Sequence, residues 1–164
     1  MQGSPTIKDI ELAVKTLSGH LVNTPVLESE RINTSLNCRV LIKAENLQRT
    51  GSFKFRGAFN MISQLTDYQK DTGIVTFSSG NHAQGVALAS KILNIKSTIV
   101  MPADAPKIKI NNTRNDGANV VLYNRADANR VKIAEEIVKD TGATLIQPYD
   151  APEIIAGQGT IGLE

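Results

Sequence analysis

Between residues 58 and 146 the sequence alternates four apolar runs with segments of helical periodicity, and few folds accommodate that pattern. The runs are "GIVTFSS", "STIVMP", "ANVVLY" and "ATLIQP". Each is continuous rather than alternating, the mark of strands buried on both faces. Ala58, Met61, Ile62 and Leu65 outline a helix before the first run. Helices are predicted between the others at about 81–93, 106–115 and 126–140. Strands and helices in strict succession predict an α/β fold, a parallel sheet with helices on both faces.

The flanks read differently. Thr6 and Asp9 form a helix start close to a capping box, Ile10, Ala13, Val14 and Leu17 give an apolar stripe, and Gly19 ends it. "NTPVLES" is extended, because the residue before Pro25 is driven out of helical geometry. A short polar helix over 28–36 leads to "RVLIKAE", a strand. At the other end, "PEIIAGQGTIGLE" opens a helix that stops at Glu164 without a cap, which reads as part of a longer polypeptide.

Bulk properties exclude several functions. A net charge of +2, from 18 basic and 16 acidic residues, leaves no basic stripe for nucleic acid. No apolar run approaches the roughly 20 residues of a membrane span, and "MQGSPTIKDI" lacks a signal-peptide core. Cys38 stands alone, so no internal disulfide forms and a cytoplasmic setting is expected. It reads as a small buried side chain rather than a nucleophile. His20 and His82 lack metal-ligand spacing, so no metal site is expected.

Two stretches carry chemistry. "RTGSFKFRGAFN", residues 49–60, sets Lys54 among apolar neighbours. Burial of an isolated ammonium lowers its pKa and suits the amine for Schiff-base chemistry. Taken alone, these twelve residues favour the plainer reading of an exposed lysine at a helix start. "SSGNHAQG", residues 78–85, follows a strand and opens a helix. Free N–H groups at such a start bind anions, and the C-terminal end of a strand is where open α/β sheets place ligands. An ordinary loop with a serine cap is the alternative. The lysine turn follows "RVLIKAE", so the two loops are expected to face one cleft. His82 by itself reads as a satisfied structural histidine, and Asp104 and Asp150 as turn residues. "GQGTIG", residues 157–162, has the letters of a dinucleotide fingerprint but follows a helical segment, and the reading is rejected.

Together "TPVL", "GSFKFRGAFN", "SSGNHAQG" and "PYDAPEIIAGQGTIGLE" resemble the threonine dehydratase and serine racemase family, pyridoxal-phosphate enzymes of fold type II. The motifs stand in order over almost the whole chain. The resemblance implies that Lys54 holds pyridoxal 5'-phosphate covalently and later moves the Cα proton, that Phe55 packs against the cofactor ring, and that Asn81 hydrogen-bonds its phenolic oxygen. It implies that Ser78, Ser79, Asn81 and His82 grip the substrate carboxylate, with Ser79 working on the face opposite the lysine in racemising members. The second serine of "SSGNH" is similar to racemases and 3-hydroxyaspartate ammonia-lyases, whereas many threonine dehydratases carry "SAGNH".

The implied activity is conversion of threonine, serine or 3-hydroxyaspartate to a 2-keto acid and ammonia, with racemisation as a further possibility; a non-catalytic anion-binding module is the competing reading. The family implies a small-molecule amino-acid substrate, a homodimer, and no nucleic-acid or membrane partner. Its domain plan implies a large-domain portion at 1–51, a small α/β domain at 52–146 and a return segment at 147–164. The family's glycine-rich phosphate loop, the hydroxyl facing the pyridine nitrogen and the metal carboxylates of some members find no match, so the chain is expected to hold only part of the site. The nucleotide site of animal serine racemases is echoed only by Thr50, Gln84 and Tyr123, with Arg49 where a lysine is usual.

Overall fold

The computed structural model describes residues 3–126 and 128–164. Helix α1 spans Ile7–Leu17. The Asp9 carboxylate accepts from the Thr6 backbone N–H at 2.6 Å and from its hydroxyl at 2.7 Å, as the sequence predicts. Gly19 leaves the helix at φ +77°, where a side chain would be strained. Strand β1 (Val26–Glu28), helix α2 (Glu30–Leu36) and strand β2 (Leu41–Lys43) follow. The two strands pair antiparallel with each other alone, Leu27 opposite Ile42.

"RVLIKAE" thus forms a strand, as expected, in a ladder separate from the parallel sheet. The chain then passes through two 3₁₀ turns, Glu45–Leu47 and Arg49–Gly51, into helix α3 at Lys54–Ser63. Cys38 corrects one expectation, that of a small buried side chain. It is exposed, because it follows the left-handed Asn37 cap at the solvent end of α2.

Helix α4 (Asp67–Thr72), strand β3 (Ile74–Phe77), helix α5 (Asn81–Ile92), strand β4 (Ser97–Pro102), helix α6 (Lys107–Asn115), strand β5 (Asn119–Tyr123), helix α7 (Arg130–Thr141), strand β6 (Thr144–Leu145) and helix α8 (Pro152–Leu163) complete the chain. Helix α7 starts later than the expected residue 126, where Asn129 accepts the Val131 N–H and caps it; Asp127, within that expected range, lies outside the described residues. The segment "PEIIAGQGTIGL" is helical throughout.

Strands β5, β4, β3 and β6 lie in that order, every pair parallel. Successive side chains of a strand face opposite sides, and both sides are covered. Ile74, Ile99 and Met101 enter a core with Phe55 and Ala58 of α3, Val86 of α5 and Ile110 of α6. Val75, Phe77 and Val100 enter a second core with Ala134 of α7. The expected fold class is therefore the observed one. The chain builds β3, β4 and β5 in one direction and then returns to place β6 on the other side of β3. The crevice between the loops after β3 and β6 is thus a topological switch point, where such sheets bind ligands.

Helix α8 covers α3, and α1 covers α8. Their approach is set by glycine. A Cβ on Gly157 would lie 2.7 Å from Cα of Gly57, and one on Gly159 would lie 2.9 Å from the Ile10 side chain. The glycines of "GQGTIG" therefore serve helix packing.

Candidate active site

The loop after β3 is Ser78–Ser79–Gly80, and Gly80 caps α5 with no side chain to satisfy the first-turn N–H groups. Those donors, at the positive end of the helix dipole, are left for an anion. The loop after β6 carries Pro148 and Tyr149. Lys54, first residue of α3, meets both loops: its Nζ donates to the Pro148 carbonyl at 2.9 Å. Close packing brings the lysine there. A Cβ on Gly85 would sit 3.1 Å from the Lys54 carbonyl carbon and the Phe55 nitrogen, so only a glycine lets α5 lie this near the start of α3.

Lys54, Ser78, Ser79, Asn81 and His82 line one cleft of about 280 Å³, together with Phe77, Gly80, Arg130, Pro148 and Tyr149. Burial holds the Lys54 amine below the ordinary lysine range. The Phe53 ring centroid lies 5.4 Å from its Nζ. His82 is 3% exposed. Burial first, and the Lys54 charge second, push its imidazole down to about 3, while the Ile146 carbonyl acts weakly the other way. Neither ring nitrogen makes a hydrogen bond within normal geometry. His82 is therefore neutral, and it is not the satisfied structural histidine the sequence suggests. A buried polar group left unpaired costs about 1–3 kcal/mol, which a ligand entering this cleft would recover.

Two further side chains belong to the expected site. Asn81 is solvent-exposed, and its Oδ1 accepts from Lys109 Nζ at 2.7 Å. Phe55 is fully buried, its ring 5.6 Å from that of Phe59. As the second residue of α3 it joins the core that α3 shares with α5 and the sheet.

Arg130, Pro148 and Tyr149 received no role from the sequence. The signal was available: Pro148 ends "ATLIQP", Tyr149 follows it, and Arg130 starts the helix after "ANVVLY". Arg130 holds its guanidinium 5.2 Å from the Phe77 ring centroid, and no carboxylate among the described residues pairs with it. Among those residues no helix is long and apolar enough to cross a membrane.

A family model described as "Pyridoxal-phosphate dependent enzyme" matches residues 17–164. The chain is 49% identical over 156 residues to the L-threo-3-hydroxyaspartate ammonia-lyase of Pseudomonas sp, an alignment covering 95% of this chain and 49% of the relative. It is 46% identical over 160 residues to the serine racemase of Schizosaccharomyces pombe, covering 98% of this chain and 50% of the relative. The solved structure of maize serine racemase superimposes with a TM-score of 0.94 at 36% identity, over 98% of this chain and 49% of that one. The chain spans about half the length of the curated relatives it matches.

Proposed function

Since this chain belongs to the pyridoxal-phosphate dependent enzymes, we propose that it supplies the lysine-bearing wall of an ammonia-lyase site for hydroxy amino acids, with racemisation as an accompanying activity. One observation carries the reading: a half-buried amine of lowered pKa stands in the same cleft as a helix start with unsatisfied donors. The residues present fit the cofactor. Attachment to an aldehyde needs a neutral amine, which burial of Lys54 favours, and both nitrogens of His82 await a polar partner.

When bound, pyridoxal phosphate supplies a sink for the electron pair left as the Cα proton departs. In this reading the chain's own groups do the rest. The Lys54 amine takes the Cα proton and hands it on to the departing β-hydroxyl. The first N–H groups of α5, with the Ser78 hydroxyl and His82, hold the substrate carboxylate. Asn81 would orient the phenolic oxygen, and the Ser79 hydroxyl would exchange the Cα proton on the opposite face when the amino acid is racemised. The Phe77 ring and the Arg130 stem keep water from one side.

Arg130 sharpens the choice of substrate. Without a carboxylate partner among the described residues, it is idle beside threonine or serine and employed beside a substrate with a second carboxylate. We place 3-hydroxyaspartate first on that ground, in keeping with the name of the Pseudomonas relative. The same reading includes a large-domain portion at 1–51, a small domain at 52–146 and a return segment at 147–164, supported by the β1–β2 ladder standing apart from the parallel sheet. It also includes a homodimer and a cytoplasmic setting, which suits an exposed, unpaired Cys38.

The test is covalent. After incubation with pyridoxal 5'-phosphate and borohydride reduction, peptide mass spectrometry should find the adduct on Lys54, and a Lys54→Ala variant should lose it. Absence of the adduct in the wild-type chain, with anion binding retained, leaves a binding module and removes the enzyme.

A further inference from the structure

Two residues beyond Lys54, Arg56 is completely buried. A guanidinium has five N–H donors, and here every one has an acceptor. Nε donates to Glu45 at 2.8 Å and one terminal nitrogen donates to the other oxygen of Glu45 at 2.7 Å. That nitrogen also reaches Glu164 at 3.0 Å, while its twin donates to Glu164 at 2.5 Å and to the Thr160 hydroxyl at 3.1 Å. The carboxylates are fixed in turn, Glu45 by the Thr24 hydroxyl at 2.6 Å and Glu164 by Lys43 at 2.6 Å. Burial alone would push the guanidinium down and the Glu45 carboxyl up. Their mutual hydrogen bonds overrule it, holding Arg56 above and Glu45 below its ordinary range.

Stability does not explain such a cluster, because apolar replacements of buried ion pairs often fold as well or better. Bidentate contacts on two sides fix direction instead. One fork grips the segment before α3, and the other grips the last turn of α8. At the opposite end of the same helix pair, Asn60 Nδ2 donates to the Glu153 carbonyl at 2.8 Å, and between them Gly57 and Gly157 touch backbone to backbone. Helix α8 begins directly after the Pro148–Tyr149 loop, so whatever sets α8 against α3 also sets the Pro148 carbonyl against the Lys54 amine. We propose that Arg56 is a positioning residue for Lys54, locking α3 between Glu45 and the end of α8 so that the amine stays seated on the Pro148 carbonyl. The proposal rests on the reading of Lys54 as the reactive amine.

The test follows Lys54 directly, by an NMR titration of lysine side chains in the cofactor-free chain, with Lys54→Arg giving the assignment. Arg56→Lys and Glu45→Gln each break the double fork while keeping polarity and bulk. The titratable or charged groups facing the amine are His82 on α5, Arg130 on α7 and Tyr149 in the loop, and neither substitution touches them. Burial is what depresses the amine, so in both variants a loosened Lys54 should titrate nearer an ordinary lysine. Amide exchange over residues 147–151 should quicken about tenfold. Folded variants with unchanged titration and exchange overturn the proposal. Should both variants fail to fold, Thr160→Val decides: it removes one acceptor of the five, and the same changes should appear at smaller size or the proposal falls. Borohydride trapping separates the two readings. A wild-type chain that is not labelled, yet whose Lys54 titration responds to Arg56→Lys, loses the cofactor and keeps the clamp. Equal labelling of the wild type and both variants, with unchanged titration, keeps the cofactor and removes the clamp.

Discussion

Replacing Gly157 by alanine should unlock the lysine helix, and the size of the effect follows from the contact it violates. The new methyl carbon would stand 2.7 Å from Cα of Gly57, 2.8 Å from the Arg56 carbonyl oxygen and 2.9 Å from Cβ of Asn60. Carbon atoms rest at about 3.5–4.0 Å, and none of these neighbours is the free end of a flexible chain. Helix α8 must therefore retreat from α3 by about 1 Å. Overpacking of this kind costs about 1–3 kcal/mol, and a backbone-to-backbone clash belongs at the upper end. Alanine returns about 1 kcal/mol of helix propensity, leaving a net loss of about 2 kcal/mol. Gly162 supplies the control, because it lies in the same helix with nothing within 4 Å of its added Cβ. Gly162→Ala should gain up to about 1 kcal/mol from propensity alone. Urea unfolding followed by circular dichroism measures both, with equal m-values required for the comparison. The same substitution in one helix should thus move stability in opposite directions. If Gly157→Ala is as stable as the wild type, or indistinguishable from Gly162→Ala, the tight crossing of α3 and α8 is not what these glycines provide.

Two other outcomes follow from the cleft. His82 is pushed down to about 3 in the folded chain, whereas an unfolded histidine titrates near 6.5. Its contribution to stability is therefore complete above about pH 6.5 and is lost as the pH falls toward 3, by at most ~1.4 kcal/mol per pH unit. Between pH 6.5 and 5, before Glu45 and Glu164 begin to protonate, His82→Gln should flatten the pH dependence of the urea midpoint, and an unaltered slope would refute a buried neutral imidazole. Arg130→Gln should weaken malate binding about tenfold or more, the value of a charge-assisted hydrogen bond, and leave lactate binding within about twofold. These two acids differ only by the second carboxylate, so an equal loss for both, or no loss for malate, removes Arg130 as its reader.

The parallel strands were legible because each is an unbroken apolar run, and "SSGNH" was legible because it sits where a strand gives way to a helix. Helix α4 was missed although Thr66 and Gln69 cap each other reciprocally, since six polar residues show no apolar stripe. Partnership was the harder quantity. Whether "RVLIKAE" pairs with β3 or with β1 depends on where α2 turns the chain, and local pattern does not record that. Arg130, Pro148 and Tyr149 join the cleft only because β6 returns to the far side of β3. Nothing in "RTGSFKFRGAFN" sets Arg56 apart, because its partners Thr160 and Glu164 lie 104 and 108 residues away.

That last separation bears on how the chain emerges from the ribosome. Synthesis proceeds at about 5–20 residues per second, so roughly 5–20 s pass between the making of Arg56 and the making of Glu164. During that interval β3, β4, β5 and finally β6 are made in turn, while α3 lacks the helix that covers it and half of the Arg56 guanidinium is unanswered. The nascent chain thus carries Lys54 on a helix whose seat does not yet exist. Ordering of Lys54 therefore waits on residues made about a hundred positions later.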